Sequence, residues 1–201
     1  GEVVFAKILQ HLIEGESLQE IPGLTLLSGR TGGNVGTKSI EKLPSPYLDG
    51  TFDELLELPY DFHASQETNR GCPYSCTFCD WGSATMSKVR KFTTEQVNEE
   101  IEFFGINNID LLYNCDANFG MLEQDFEIVD AMIATKEKYG APRKFRAAYA
   151  KKTTERVYEI SKKLNDADMS KGVTLSFQSM HKETLDLIKR RNITTEVFGG
   201  L

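Results

Sequence analysis

From about residue 62 onward, predicted strands alternate with predicted helices, and this alternation restricts the possible folds more than any other feature. The predicted strands cover residues 64–68, 109–113, 144–149 and 173–177. Strands that alternate with helices predict a parallel sheet with helices packed on it, either a barrel or a doubly wound sheet. In both folds, functional side chains are expected at the carboxyl ends of the strands.

The sequence predicts the positions of two of the intervening helices. Thr93 is followed three residues later by Gln96, which is the spacing of a capping box and predicts the start of a helix. Gly105 is expected to end that helix. A second helix is predicted over residues 123–138, where apolar side chains recur at helical spacing. These helices would cover the predicted sheet.

The first 61 residues are organised differently. Apolar residues at helical spacing predict a first helix that ends at Gly15. Two short strands are expected at residues 24–27 and 39–40, on either side of a glycine-rich stretch. Residues 43–46 contain two prolines and are predicted to be an extended linker.

The net charge of −7 narrows the range of partners. A surface for the phosphate backbone of a nucleic acid would favour positive charge, so a nucleic-acid partner is disfavoured. No run approaches the roughly 20 consecutive apolar residues that a membrane-spanning helix needs. The first residues also lack the basic start and apolar core of a signal peptide. We therefore expect a cytoplasmic protein without a membrane partner.

Three of the four cysteines fall within eight residues. Cys72, Cys76 and Cys79 follow the first predicted strand with the spacing C-x3-C-x2-C, which points to a metal site rather than to a disulfide framework. A 4Fe-4S cube on three thiolates would leave one iron open to chelate the amino and carboxylate groups of a small molecule. A zinc site and a ferredoxin are the alternatives, and each normally needs a fourth protein ligand.

The segment GCPYSCTFCDWG at residues 71–82 resembles the cluster-binding loop of radical S-adenosylmethionine (SAM) enzymes. This resemblance implies that the three clustered cysteines hold a 4Fe-4S cluster whose open iron binds the methionine part of SAM. One electron would then cleave SAM and give a 5′-deoxyadenosyl radical. The resemblance also implies that Phe78 lies near the adenine. Asp80 is expected either to contact SAM or to be a solvated loop residue.

The second predicted strand ends in residues 113–120, a position that contacts the amino group of SAM in radical SAM enzymes. Asp116 and Asn118 would supply acceptors for an ammonium group, or they would cap the following helix. Cys115 is open to three interpretations: a catalytic thiol, a ligand of a second cluster, or a small buried hydrophobic residue.

Ser176 and Gln178 form another candidate pair at the end of the fourth predicted strand. Their two-residue spacing would put both side chains on one face of a strand. This stretch resembles the serine-and-glutamine strand end of cobalamin-associated radical SAM proteins, which implies contacts with the polar groups of SAM. The alternative is a hydrogen-bonded pair in the core.

The amino-terminal residues resemble the end of a cobalamin-binding domain through the turn Gly1-Glu2, the phrase IPGL at residues 21–24 and the linker at residues 43–48. The resemblance implies a class B methyltransferase-like protein. Because the chain begins without Met, we expect it to be part of a longer protein. Its expected parts are the end of a cobalamin-binding-like domain at residues 1–15, a hairpin and linker at 16–61, and an incomplete (β/α) radical SAM barrel at 62–201.

These features predict a radical SAM enzyme that uses a 4Fe-4S cluster and SAM, with cobalamin-dependent methyl transfer as the favoured reaction. A different radical SAM reaction, such as cyclisation or oxidation, and a non-enzymatic metal-binding module remain alternatives. The family resemblance implies a small-molecule or peptide substrate and an electron donor such as flavodoxin or ferredoxin. The sequence assigns no catalytic side chain beyond the cofactor-binding residues.

Overall fold

The computed structural model describes residues 1–33, 39–41, 43–83, 88–150, 154–172, 176–190 and 192. The chain forms two compact units, Gly1–Ile40 and Glu41–Leu201. The helices are α1 (Glu2–Glu14), α2 (Asp53–Leu56), α3 (Asp80–Ser83), α4 (Thr94–Ile106), α5 (Gln124–Tyr139), α6 (Thr154–Asp166) and α7 (Lys182–Leu187). The strands are β1 (Thr25–Leu26), β2 (Gly29–Arg30), β3 (His63–Gln66), β4 (Asn69–Arg70), β5 (Arg90–Lys91), β6 (Leu111–Asn114) and β7 (Lys144–Arg146). Among the described helices, none has both the length and the apolar character needed to cross a membrane.

The first unit contains α1, a short 3-10 helix and the β1–β2 hairpin. Gly15 ends α1 in the left-handed conformation, at φ 74°, as predicted. The hairpin is tighter than predicted, because Thr25 already pairs with Arg30. Gly29, at φ 126°, has a backbone conformation that residues other than glycine rarely adopt. The second strand of the hairpin therefore begins at this glycine, inside the glycine-rich stretch. Residues 39–40 are not in a strand, so that part of the prediction is wrong.

The second unit contains a three-stranded parallel sheet in the order β3-β6-β7. His63 pairs with Leu111, and Leu111 pairs with Lys144, so the three strands start side by side. Each strand is followed along the chain by a helix before the next strand of this sheet. This arrangement confirms the predicted parallel α/β fold and brings the three carboxyl ends to one edge of the sheet.

The fourth predicted strand, at residues 173–177, is described only in part. Residues 173–175 lie outside the described residues, and residues 176–177 are not in a strand. Ser170 makes a single parallel bridge with Phe145 on β7. The chain therefore reaches the sheet edge where a fourth parallel strand would pair, and closure into a barrel stays a prediction.

The core of the second unit lies between the sheet and helices α4, α5 and α6. The side chain of Thr93 accepts a hydrogen bond from the backbone N–H of Gln96 at 3.2 Å, which confirms the predicted start of α4. Burial of large apolar side chains on both faces of a parallel sheet is the main source of its stability. The largest fully buried side chains of this unit include Ile101, Phe104, Leu112, Ile128, Met132, Phe145, Ile160 and Leu164.

Tyr47 attaches the predicted linker to this unit. Its hydroxyl donates to the carbonyl of Ser65 on β3 at 2.6 Å. Its ring meets the ring of Phe104 on α4 edge-on, with the centroids 4.7 Å apart. Aromatic pairs in this geometry add to the stabilisation from burial alone. The segment around Tyr47 is therefore packed on the sheet and on α4.

Gly105 does not end α4, which continues to Ile106 with Asn107 as its C-cap. The helix passes so close to α5 that a Cβ atom at position 105 would overlap Cγ2 of Thr135 and would lie 2.8 Å from Cδ2 of Tyr139. The prediction of a helix end at this glycine is wrong. The residue is glycine because two helices touch there.

Gly105→Ala is expected to destabilise the protein by about 1–3 kcal/mol, because the added methyl group overpacks the contact between α4 and α5. This effect opposes helix propensity, which favours Ala over Gly by about 1 kcal/mol. Urea denaturation followed by circular dichroism measures the free energy of unfolding. Adding Thr135→Ser, which removes the Cγ2 methyl group, should recover part of the loss. A single variant as stable as wild type would contradict the close contact.

Candidate functional site

The cysteine loop leaves the sheet at the carboxyl end of β3. Directly after β3, the strands β4 and β5 pair antiparallel, with Arg70 opposite Arg90, and close the base of the loop. The backbone N–H of Phe92 also donates to the carbonyl of Thr68 at 3.0 Å. Both ends of the loop are therefore fixed next to the sheet, where the alternating pattern predicts functional residues.

None of the three clustered cysteines is in a disulfide, and the three differ in burial. Cys72 and Cys76 are 6% and 8% exposed, whereas Cys79 is half-buried. The backbone N–H of Cys79 donates to the carbonyl of Cys76 at 3.1 Å, which forms a turn between them. In the described part of the chain, no three His, Cys, Asp or Glu side chains converge to hold one metal ion.

Asp116, just after β6, holds the residues that lead from β3 into the cysteine loop. Its Oδ1 atom accepts hydrogen bonds from the backbone N–H groups of Thr68 and Asn69, at 2.8 and 3.1 Å. Its Oδ2 atom accepts from the hydroxyl of Thr68 and from the side-chain amide of Asn69. Burial raises the pKa of this carboxyl, and the hydrogen bonds oppose that shift. Both oxygens are engaged within the protein, and the predicted contact with SAM stays a prediction.

Asn118 lies two residues further along and reaches the cysteine loop itself. Its Nδ2 atom donates to Sγ of Cys72 at 3.3 Å, and only 2% of Asn118 is exposed. Its Oδ1 atom is buried and has no hydrogen-bond partner among the described residues. A side chain predicted to bind SAM therefore contacts a predicted cluster ligand directly.

A cavity of about 440 Å³ opens at the carboxyl ends of the parallel strands. This volume lies in the range of small-molecule sites. The wall is formed by the cysteine loop, the end of β3 and the segments after β6 and β7. The lining residues are Glu67, Cys72, Cys79, Trp81, Tyr113, Asn114, Cys115, Asp116, Ala117 and Ala148.

Cys115 lines this cavity and is only partly buried, so its interpretation as a buried hydrophobic residue is wrong. The reason is the alternation of side chains along β6 and its extension. Asn114 and Asp116 are buried, whereas Tyr113 and Cys115 face the more exposed side. Desolvation raises the pKa of the Cys115 thiol.

Trp81 is a cavity residue that the sequence reasoning missed. The available signal was an aromatic side chain two residues after Cys79, directly behind the cluster motif. Phe78 is 49% exposed and Asp80 begins α3 as an exposed residue, and neither lines the cavity. Their predicted contacts with the adenine and the polar groups of SAM stay predictions.

Ser176 and Gln178 do not share the face of a strand, and the expected placement is corrected. The buried side chain of Arg190 donates to the backbone carbonyl of Ser176 at 2.8 Å. In a regular strand, that carbonyl would accept a hydrogen bond from the neighbouring strand. The two side chains are exposed in an irregular segment. The contact with the cysteine loop comes from the end of the following helix α7, where the carbonyl of Ile188 accepts from the backbone N–H of Thr77 at 3.0 Å. A contact of either side chain with SAM stays a prediction.

Asp125 is a buried carboxyl that the sequence reasoning also missed. Its Oδ2 atom accepts from the backbone N–H groups of Gly120 and Leu122, at 2.8 and 2.9 Å, and so shapes the loop that carries Asn118. Burial raises the pKa of Asp125 to about 6, and the nearby charge of Asp116 adds to the shift.

No protein-family model matches the chain. It is 43% identical over 203 residues to the cobalamin-dependent radical SAM methyltransferase TokK of Streptomyces tokunonensis, which covers 96% of this chain and 30% of the relative. It is 42% identical over 212 residues to 2-(S-pantetheinyl)-carbapenam-3-carboxylate methyltransferase of Streptantibioticus cattleyicolor, which covers 100% of this chain and 31% of the relative. The structure of the apo cobalamin-dependent SAM radical enzyme OxsB superposes with a TM-score of 0.65 at 22% identity, over 98% of this chain and 29% of that one.

The cysteine loop and these relatives show that the chain is homologous to radical SAM proteins. Within that class, it is homologous along nearly its whole length to cobalamin-dependent radical SAM methyltransferases. The chain spans about 30% of the length of the relatives that it matches. The resemblance seen in the sequence is therefore confirmed for this part of the protein.

Asp125→Asn is expected to remove a pH dependence of stability between about pH 4 and pH 7. An Asp carboxyl in an unfolded chain has a pKa of about 3.9, whereas the pKa of Asp125 in the folded protein is about 6. The folded state therefore binds the proton more tightly, and the free energy of unfolding rises as the pH falls through 6 towards 4. At pH 7 the charged carboxylate opposes folding by up to about 3 kcal/mol.

Urea denaturation at several pH values measures this dependence. Asp110→Asn is a control of opposite sign, because Arg143, 2.6 Å away, lowers the pKa of Asp110. The contribution of Asp110 is present above its unfolded pKa and is lost as the pH falls through the folded pKa. Identical pH profiles for wild type and Asp125→Asn would show that the carboxyl of Asp125 is not perturbed.

Proposed function

We propose that this chain forms the SAM-cleaving part of a cobalamin-dependent radical SAM methyltransferase. The observation that carries the proposal is the cavity at the strand ends, whose wall contains two thiols of a C-x3-C-x2-C loop. The high identity to a relative of that description supports the same reaction class. The substrate-binding elements and the reaction of the whole protein are part of the proposal.

The residues present fit a 4Fe-4S cluster. Three thiols lie on one short loop and none is in a disulfide. The cavity beside Cys72 and Cys79 leaves room for a small molecule next to the sulfur atoms, and the amide of Asn118 faces the sulfur of Cys72 as a donor. When bound and reduced, such a cluster supplies the electron that cleaves the sulfonium of SAM to methionine and a 5′-deoxyadenosyl radical.

The protein's own residues have separate tasks in this proposal. Cys72, Cys76 and Cys79 would each hold one iron and leave the fourth for SAM. Asp116 accepts hydrogen bonds from the backbone N–H groups of residues 68–69, which lead into the cysteine loop. The side chains proposed to contact SAM are Phe78, Asp80, Asp116, Asn118, Ser176 and Gln178.

We propose cobalamin as a cofactor and methyl transfer as the reaction because of what the relatives are named for. One is named as cobalamin-dependent and another as a methyltransferase of 2-(S-pantetheinyl)-carbapenam-3-carboxylate. The resemblance of residues 1–15 to the end of a cobalamin-binding domain agrees with them. We therefore propose a small-molecule acceptor, with this carbapenam as the first candidate. A cytoplasmic flavodoxin or ferredoxin would supply the electron.

Cys72→Ala, Cys76→Ala and Cys79→Ala are each expected to lose the 4Fe-4S cluster or its ability to cleave SAM, because each thiolate would hold a separate iron. Iron and sulfide analysis and the absorbance spectrum after anaerobic reconstitution measure the cluster, and 5′-deoxyadenosine formation measures cleavage. Cys115→Ala is the matched control and should keep the wild-type iron content. Normal cleavage by any loop variant, or iron loss in the control, would overturn the ligand assignment.

The full-length protein is expected to retain cobalamin and to transfer a labelled methyl group from SAM to a carbon atom of the acceptor. The assay would use 2-(S-pantetheinyl)-carbapenam-3-carboxylate, a chemical or flavodoxin-based reductant, and mass spectrometry of the product. The Cys76→Ala variant is the control for background transfer. Formation of 5′-deoxyadenosine with no bound corrin and no labelled carbon would leave a radical SAM enzyme of another reaction type.

A further inference from the structure

The hydrogen bond between Asn118 and Cys72 connects two segments that are 46 residues apart in the sequence. Both residues are almost completely buried, so no water competes for the sulfur at this point. The amide group acts as the donor in this contact, because a cysteine thiolate can only accept a hydrogen bond and Nδ2 is the donor of an asparagine side chain. Asn118 is therefore suited to a negatively charged sulfur.

The position of Asn118 is set by the sheet and not by the cysteine loop. The next residue, Phe119, donates its backbone N–H to the carbonyl of Ala148 at 2.9 Å and accepts at its own carbonyl from the N–H of Ala150 at 2.7 Å. The ring of Phe119 is fully buried against Phe145, with the centroids 5.1 Å apart. The backbone next to Asn118 is thus held by the sheet, and from this position the amide of Asn118 donates to the sulfur of Cys72.

A hydrogen-bond donor beside a cluster sulfur has a predictable electrostatic consequence. Reduction of a 4Fe-4S cluster adds negative charge that is shared by its sulfur ligands, and hydrogen bonds to those sulfurs are among the factors that set the reduction potential. In a buried, low-dielectric environment the interaction is stronger than in water. The N–H group therefore stabilises the reduced state more than the oxidised state.

We propose that Asn118 is a positioning residue that orients the Cys72 thiolate and raises the reduction potential of the cluster. The inference rests on the proposed function, since it requires a 4Fe-4S cluster on this loop. It adds a role to Asn118 that differs from a contact with SAM. The two roles are compatible, because Oδ1 of Asn118 has no partner among the described residues and remains able to accept a hydrogen bond.

The test is the midpoint potential of the cluster in the full-length protein without SAM, measured by redox titration followed by electron paramagnetic resonance. Asn118→Leu removes the donor and keeps a similar volume. Its potential is expected to be lower, by an amount that corresponds to about a tenfold loss in the equilibrium constant for reduction, or about 59 mV for one electron. Asn118→Asp, which replaces the donor by a carboxylate of the same shape, should lower the potential further.

Asn98→Leu is the matched control, because Asn98 also has a buried Oδ1 atom without a partner among the described residues but lies on α4 without a hydrogen bond to a cysteine. Its cluster potential should equal that of wild type. An unchanged potential in either iron-loaded Asn118 variant would overturn the inference, as would loss of the fold in both variants. Loss of iron from both variants with wild-type circular dichroism would support the positioning role. Absence of a 4Fe-4S signal in wild type would instead defeat the proposed function.

Discussion

The carboxylate of Asp116 is the interaction on which the candidate site depends. Four hydrogen bonds from Thr68 and Asn69 end on its two oxygens, and all three residues are buried. Leaving one of these buried donors without a partner would destabilise the folded protein by about 1–3 kcal/mol. Because Thr68 and Asn69 precede the cysteine loop and Asp116 follows β6, this contact sets the position of the loop relative to the sheet.

The segment after β6 uses polar side chains in place of regular secondary structure. Oδ1 of Asn114 accepts from the backbone N–H of Asp116 at 3.1 Å, and Asp125 binds two backbone N–H groups of the same segment. These bonds let the backbone bend around the cavity while its amides stay paired. Buried side-chain atoms without a partner among the described residues occur on Asn98 of α4 and on Asn114, Asn118 and Asp125. Such groups are uncommon in folded proteins, and three of these four lie within residues 114–125.

Local sequence patterns correctly predicted features that depend only on residues close together in the sequence. The capping interaction of Thr93 and the left-handed Gly15 depend only on neighbouring residues. Gly105 was misread, because the contact that requires a glycine comes from α5, about 30 residues further along the chain. The three interpretations of Cys115 could not be separated from the sequence, because the direction of its side chain depends on which face of β6 packs on the core. The helical and strand patterns were visible in the sequence, whereas the side on which each element packs was not.

The sequence by itself determined that three thiols share one loop behind a strand, because the covalent spacing of Cys72, Cys76 and Cys79 is sufficient for that. It also determined the alternation of strands and helices, which follows from the spacing of apolar side chains. Only the tertiary structure decided that Asp116 and Asn118 face that loop. Their contacts cross 46 to 48 residues of sequence and exist because β3 pairs in parallel with β6 in one register. The register of paired strands depends on which faces become buried, and this is a long-range property that no local pattern specifies.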